Sequence, residues 1–97
     1  MHNRLRSKPR DQAVALRYKK DETAPRVVAK GSGSIAQKIR ETATANGIPV
    51  HKDDDLVELL SAVEINHEIP PELYAAVAEI LSWLYRANEA VKKEYAE

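Results

Sequence analysis

The turn Gly31-Ser32-Gly33-Ser34 limits the fold of this chain more than any other feature. Before it the apolar residues come in short β-prone runs, and after it Ile35, Ile39 and Ala43 recur every four residues. Such a change across a glycine-serine turn marks passage from strand to helix. Upstream, Ala13-Val14-Ala15-Leu16-Arg17-Tyr18 predicts one strand, and Arg26-Val27-Val28-Ala29-Lys30, opened by Pro25, predicts a second. Lys19-Lys20-Asp21-Glu22 lies in the irregular loop between them. Downstream, Ser34 and Gln37 form a capping box, and Asn46-Gly47 stops the helix with Gly47 in the left-handed position. Ile48-Pro49-Val50-His51 is then expected as a third strand, parallel to its neighbour through a right-handed βαβ crossover.

Asp53-Asp54-Asp55 caps a short helix expected to run to about Val63. An irregular connector from Val63 to Ile69 leads to Pro70-Pro71-Glu72, a helix start. Leu73, Val77, Ile80, Leu81 and Leu84 form the core face of that last, long helix, flanked by Trp83 and Tyr85. Beyond Asn88 the stripe thins to Val91 and Tyr95, so the end is expected to fray or project. The 97 residues allow one domain with one modest core. Residues 1–11 read as a flexible basic tail and 12–97 as the domain.

Composition removes several kinds of chemistry. There is no cysteine, so disulfides, thiolate metal sites and cysteine nucleophiles are excluded. No apolar run approaches the roughly 20 residues that cross a bilayer, and no apolar stretch follows the basic N-terminus as a secretory signal requires. A net charge of zero conceals a polarity: residues 1–40 hold eleven Lys/Arg against three acids, and residues 41–97 hold four against twelve. That segregation is either an electrostatic docking surface or solvated charge without a role.

Each candidate for chemistry has a plainer explanation. The Gly31–Ser34 turn lacks the Gly-Lys-Ser/Thr ending of a phosphate loop and the three-glycine spacing of a dinucleotide site, so it reads as a tight turn with no cofactor. His2, His51 and His67 show no metal-clasping spacing, and helix capping explains the acids beside His51, so no metal is expected. Ser7, Ser32, Ser34, Ser61 and Ser82 lie in no nucleophile-elbow pattern. Arg4, Arg6, Lys8 and Arg10 resemble a phosphate-gripping arm but lack aromatic residues for stacking on bases; tail solubility explains them, and no nucleic-acid partner is expected. Asn46-Gly47 is open to slow deamidation, which is a liability and not a function.

Three stretches together carry a resemblance. They are Gln12-Ala13-Val14-Ala15-Leu16-Arg17-Tyr18, Ala24-Pro25-Arg26-Val27-Val28-Ala29-Lys30-Gly31, and the run from Glu64 to Glu79 containing Ile69-Pro70-Pro71-Glu72-Leu73-Tyr74. They resemble the cytoplasmic C-terminal domain of FlhB, the flagellar export-switch family whose type III secretion relatives include YscU and SpaS. Gly47-Ile48-Pro49-Val50 resembles the same domain, and the likeness spans about residues 8–95. It implies an α+β fold: a small mixed sheet of three to four strands surrounded by helices, with a long C-terminal helix.

Full-length members of the family carry four membrane helices and an Asn-Pro-Thr-His motif that cuts itself between Asn and Pro. The asparagine carboxamide attacks its own carbonyl, closes a succinimide and expels the proline nitrogen. Alignment on Ala13-Val14-Ala15-Leu16 places Lys8-Pro9-Arg10-Asp11 at that motif, where only Pro9 matches. Lys8 has no carboxamide to cyclise, so self-cleavage is expected to be absent and the chain is expected not to be an enzyme.

The resemblance then implies a stand-alone cytoplasmic interaction domain acting at the cytoplasmic membrane face. Its partners would be components of the export gate, export substrates or a hook-length-control protein. The edge from Ala13 to Tyr18 and the loop from Lys19 to Pro25 are the expected docking region, with Tyr18, Lys19, Lys20, Pro25 and Val27 as contacts; Tyr18, Pro25 and Val27 serve equally well as core. The alternatives are a piece of a full-length export-gate membrane protein, a nucleic-acid-binding domain using the basic half, and residual cleavage at Lys8-Pro9.

Overall fold

The computed structural model describes residues 11–19 and 21–84. β1 (Gln12–Arg17) and β2 (Arg26–Ser32) form an antiparallel hairpin close to where the β-prone runs place them. Ala13 pairs with Gly31 and Ala15 with Ala29, after which the register slips so that Leu16 meets Val27. Val28 is the bulged residue. In unbroken alternation Val27 would share a face with Ala29 and Gly31; the bulge turns it to the face of Val14, Leu16 and Lys30. Val27 is thus fully buried while Val28 stands 36% exposed.

The two faces of the hairpin differ in size. One is a floor of Ala13, Ala15, Ala29 and Gly31, and α1 (Ser34–Ala45) lies across it with Ala36 fully buried. Gly31 has to be glycine here, because a Cβ would collide with the Ile35 side chain. The other face meets α2 (Asp54–Leu60) and α3, which is helical over residues 74–84. Val27, Leu56, Leu60, Ile69 and Val77 are buried together there with Ala24, and Leu73, Ile80 and Leu81 pack against them. Full burial of Ile69 and Val27 contributes roughly 1.5–3 kcal/mol each. Helix, hairpin and helix pair make three thin layers of an α+β domain.

The helix ends follow their local chemistry. The Asp53 carboxylate accepts the Leu56 N–H at 3.0 Å and caps α2, which ends at Leu60, short of Val63. Lys30 reaches from β2 and donates to the Ser61 and Val63 carbonyls at 2.9 and 2.8 Å, satisfying the chain end of α2. Gly47 is left-handed at φ 70°, and the Ile48 N–H returns to the Ala43 carbonyl at 2.8 Å. The Asn46 carboxamide donates to Thr42 and the Gly47 N–H to Thr44, so both groups that deamidation needs are engaged. A short 3₁₀ turn, Pro71–Leu73, opens into α3.

Four expectations are corrected. The sheet has two strands, not three or four, plus a single bridge between Arg26 and Glu68, among the described residues. Ile48 to Val50 forms no strand and no parallel crossover exists there; a groove separates that segment from β1. The Ser34–Gln37 capping box is not made: Gly33 holds the cap position at φ 61°, and its carbonyl accepts the Gln37 N–H. Ile35 is 58% exposed: it rests against Gly31 with the rest of its side chain in solvent, and Ala36 takes the buried position. The end expected beyond Asn88 lies outside the described residues, as does the tail over residues 1–10.

Candidate protein-docking site

The loop between β1 and β2 is built around Glu22. One carboxylate oxygen accepts the Lys19 N–H at 3.1 Å, and the other accepts Arg17 at 3.1 Å and Arg26 at 3.2 Å. The Lys19 N–H, with the two guanidinium groups, holds the Glu22 carboxyl below the usual carboxylate range. Arg26 also donates to the Asn66 carbonyl at 2.7 Å, and the Thr23 hydroxyl donates to Glu68 at 3.1 Å. The loop is therefore tied to both strands and to the connector after α2.

Tyr18, 47% exposed, and Lys19 stand on the surface of this braced loop. Pro25 and Val27, expected as contacts, lie inside instead. Both are buried, and their backbones are bonded to the connector: Ile69 N–H to the Pro25 carbonyl, Val27 N–H to the His67 carbonyl, and Asn66 N–H to the Val27 carbonyl. Of the two roles open to them, the core one is the role they fill. Lys20 lies outside the described residues.

At the other end of β1, Asp11 is anchored twice. Its carbonyl accepts the Gly33 N–H at 2.8 Å, and its carboxylate takes both terminal nitrogens of Arg40 at 3.0 Å. The Arg40 guanidinium keeps the Asp11 carboxyl below its usual range, and Asp11 raises the Arg40 pKa in turn. Asp11, assigned from sequence to the tail, is thus part of the fold; Lys8, Pro9 and Arg10 lie outside the described residues.

Among the described residues, most of the basic side chains of the first half are already engaged. Arg17 and Arg26 share Glu22, Arg40 holds Asp11, and Lys30 is spent on two carbonyls. His67 approaches Glu64 at 3.9 Å on the surface, and no group of three metal-ligating side chains occurs among the described residues. No described helix is long and apolar enough to cross a membrane.

Comparison with known proteins resolves what this fold is. The model of the FlhB HrpN YscU SpaS Family matches residues 7–84. The chain belongs to that family. It is 41% identical over 87 residues to the uncharacterized protein YlqH of Bacillus subtilis (strain 168), covering 89% of this chain and 94% of YlqH. It is 46% identical over 90 residues to the flagellar biosynthetic protein FlhB of Aquifex aeolicus (strain VF5), covering 91% of this chain but 25% of that one. The crystal structure of the cytoplasmic domain of FlhB from Shewanella putrefaciens superposes with a TM-score of 0.79 at 31% identity, over 84% of this chain and 69% of that one. The α+β fold is the FlhB and YscU C-terminal domain fold, and this chain spans about a quarter of a full FlhB.

Asp11 is the ion-pair partner of Arg40. Two features of the site escaped the sequence reading. The Glu22 hub had one faint signal, the four-residue spacing from Glu22 to Arg26. The Asp11–Arg40 pair had none, since 29 residues separate its members.

Proposed function

We propose that this chain is a non-enzymatic docking domain of the flagellar or type III export apparatus, lying in the cytoplasm at the membrane face. Export-gate components, export substrates or a hook-length-control protein are its partners. The observation that carries the reading is that nearly the whole chain corresponds to the cytoplasmic domain of FlhB, with the loop bearing Tyr18 and Lys19 held in one shape by Glu22. Rigid presentation of an exposed tyrosine lowers the ordering cost of binding. The role in switching export specificity belongs to the same proposal. So does the absence of self-cleavage, which follows from the missing carboxamide at Lys8.

Two measurements test it. Purified chain is offered to export-gate components and export substrates beside the FlhB cytoplasmic domain. It should bind the same ones, and Tyr18→Ala should weaken binding about tenfold. Failure to bind where the FlhB domain binds overturns the docking role. Intact mass after long incubation should show one unbroken species; a cut at Lys8-Pro9 overturns the non-enzymatic part.

A further inference from the structure

Arg17 and Arg26 face each other at the loop end of the hairpin, one on each strand. Two guanidinium groups so placed repel, and the single carboxylate of Glu22 bridges them at 3.1 and 3.2 Å. The two arginines are used unequally. Arg26 commits all three nitrogens to its own fold: Nε to Glu22, one terminal nitrogen to the Asn66 carbonyl at 2.7 Å, and the other beside Glu68 at 3.9 Å. Arg17 commits one terminal nitrogen to Glu22, and its Nε and second terminal nitrogen make no bond among the described residues. We infer that the unused donors of Arg17 receive a carboxylate, and that the loop takes an acidic segment of a partner protein with an apolar residue beside the acid. The inference rests on reading this loop as a docking site, and it names the chemistry of the partner there.

Three observations set the ligand. The first is charge balance. Residues 17–26 carry Arg17, Lys19, Lys20 and Arg26 against Asp21 and Glu22. Glu22 is 17% exposed and already taken by three donors, so it has little to offer a basic partner. Asp21 is the one exposed carboxylate of the loop. The surplus is positive, and it attracts an anion.

The second is position. Arg17, Tyr18 and Lys19 are consecutive, and all three are exposed. A carboxylate held at Arg17 or Lys19 brings the neighbouring side chain of its own segment within reach of the Tyr18 ring. That ring offers an apolar face to an aliphatic or aromatic neighbour.

The third is preorganisation. Glu22 holds the Arg17 guanidinium and the Lys19 backbone N–H together, which fixes the stems of both cations. The Lys19 ammonium itself forms no ion pair among the described residues. Donors set in place before the partner arrives lose less freedom when it binds.

The probe is a synthetic peptide, acetyl-Gly-Asp-Glu-Leu-Asp-Glu-Gly-amide, titrated into the full chain at low salt and followed by residue-resolved amide chemical shifts. Shifts should concentrate at Arg17, Tyr18 and Lys19 and fade as salt is raised. The same peptide with asparagine and glutamine in place of its acids should bind about tenfold more weakly. Arg17→Gln should weaken binding several-fold. Should that change unsettle the loop, Lys19→Gln keeps the N–H that Glu22 accepts and should weaken binding likewise. Asp21→Asn should tighten it, and Lys38→Gln, an exposed base on α1, should leave it unchanged. Equal binding of the uncharged peptide, indifference to Lys19→Gln, or shifts centred away from residues 17–19 would each overturn the inference, as would preference for a phosphoserine peptide of equal charge. Export components captured through Tyr18, with capture indifferent to salt and to Lys19→Gln, would remove the acidic ligand and leave the docking role standing. Peptide binding at the loop while every export component fails removes the docking role alone.

Discussion

The two outer edges of the hairpin face different fates. The β2 edge is sealed: the connector after α2 runs alongside it, exchanging backbone bonds at Pro25 and Val27 and burying Ile69 against Val27. The β1 edge has no strand beside it among the described residues, only a groove. Sealing follows from sequence order. The connector leaves α2 on the large-residue face and returns past β2, where Asn66 turns it at φ 74° and Arg26 grips its carbonyl. Past β1, by contrast, the chain emerging from α1 ends in the Gly47 turn and goes directly to the Asp53 cap. One edge therefore contributes stability, and the other carries no paired strand among the described residues.

The largest effect should come from breaking the seal. Ile69→Ala removes a fully buried side chain between β2 and α3 and should cost about 2–5 kcal/mol in chemical denaturation. A loss under about 1 kcal/mol would mean the connector is not part of the core. Next is the floor beneath α1, the helix that walls the groove. Gly31→Ala drives a methyl group into Ile35 and should cost about 1–3 kcal/mol, with Ile35→Ala recovering part of it.

A smaller effect separates the turn of the sealed edge from its packing. Asn66→Gly at its positive φ should leave stability within about 0.5 kcal/mol, whereas Asn66→Ala should lose roughly 1 kcal/mol, both measured by thermal melts. Equal behaviour of the two would show that backbone strain does not govern the connector.

The smallest effect concerns the open edge. Asp11 has a folded pKa below its ordinary value, so the ion pair's stabilisation is present above the ordinary carboxylate range and is lost as pH falls through the lowered value. Acidification should loosen the start of β1 before the β2 edge, seen as faster exchange at Ala13 than at Val27. Asp11→Asn should make that difference independent of pH.

The element pattern was legible because it depends on neighbours in sequence. Both strands, the stop at Gly47, the Asp53 cap and the Leu73–Val77–Ile80–Leu81 stripe all came from local spacing, and each is in place. The misread elements depended on distant partners. Ile48–Val50 has β-prone composition, but a strand needs a neighbour and the groove separates it from β1. Ile35 matched a four-residue period, yet it only rests against Gly31, and Ala36 next to it is the residue buried on the hairpin. Of the site, Lys19 was legible as a loop residue, while Tyr18, Pro25 and Val27 served equally well as contact or core until the fold left Tyr18 on the surface and covered the other two.

By itself the sequence determined the family and the class of fold, because both are a matter of which residues are present and in what order. Tertiary structure alone decided which edge of the hairpin is covered and where the basic charges are spent. Those depend on Asp11 meeting Arg40, Lys30 meeting the end of α2 and Arg26 meeting Asn66, contacts between residues 29 or more apart in sequence that no local pattern encodes.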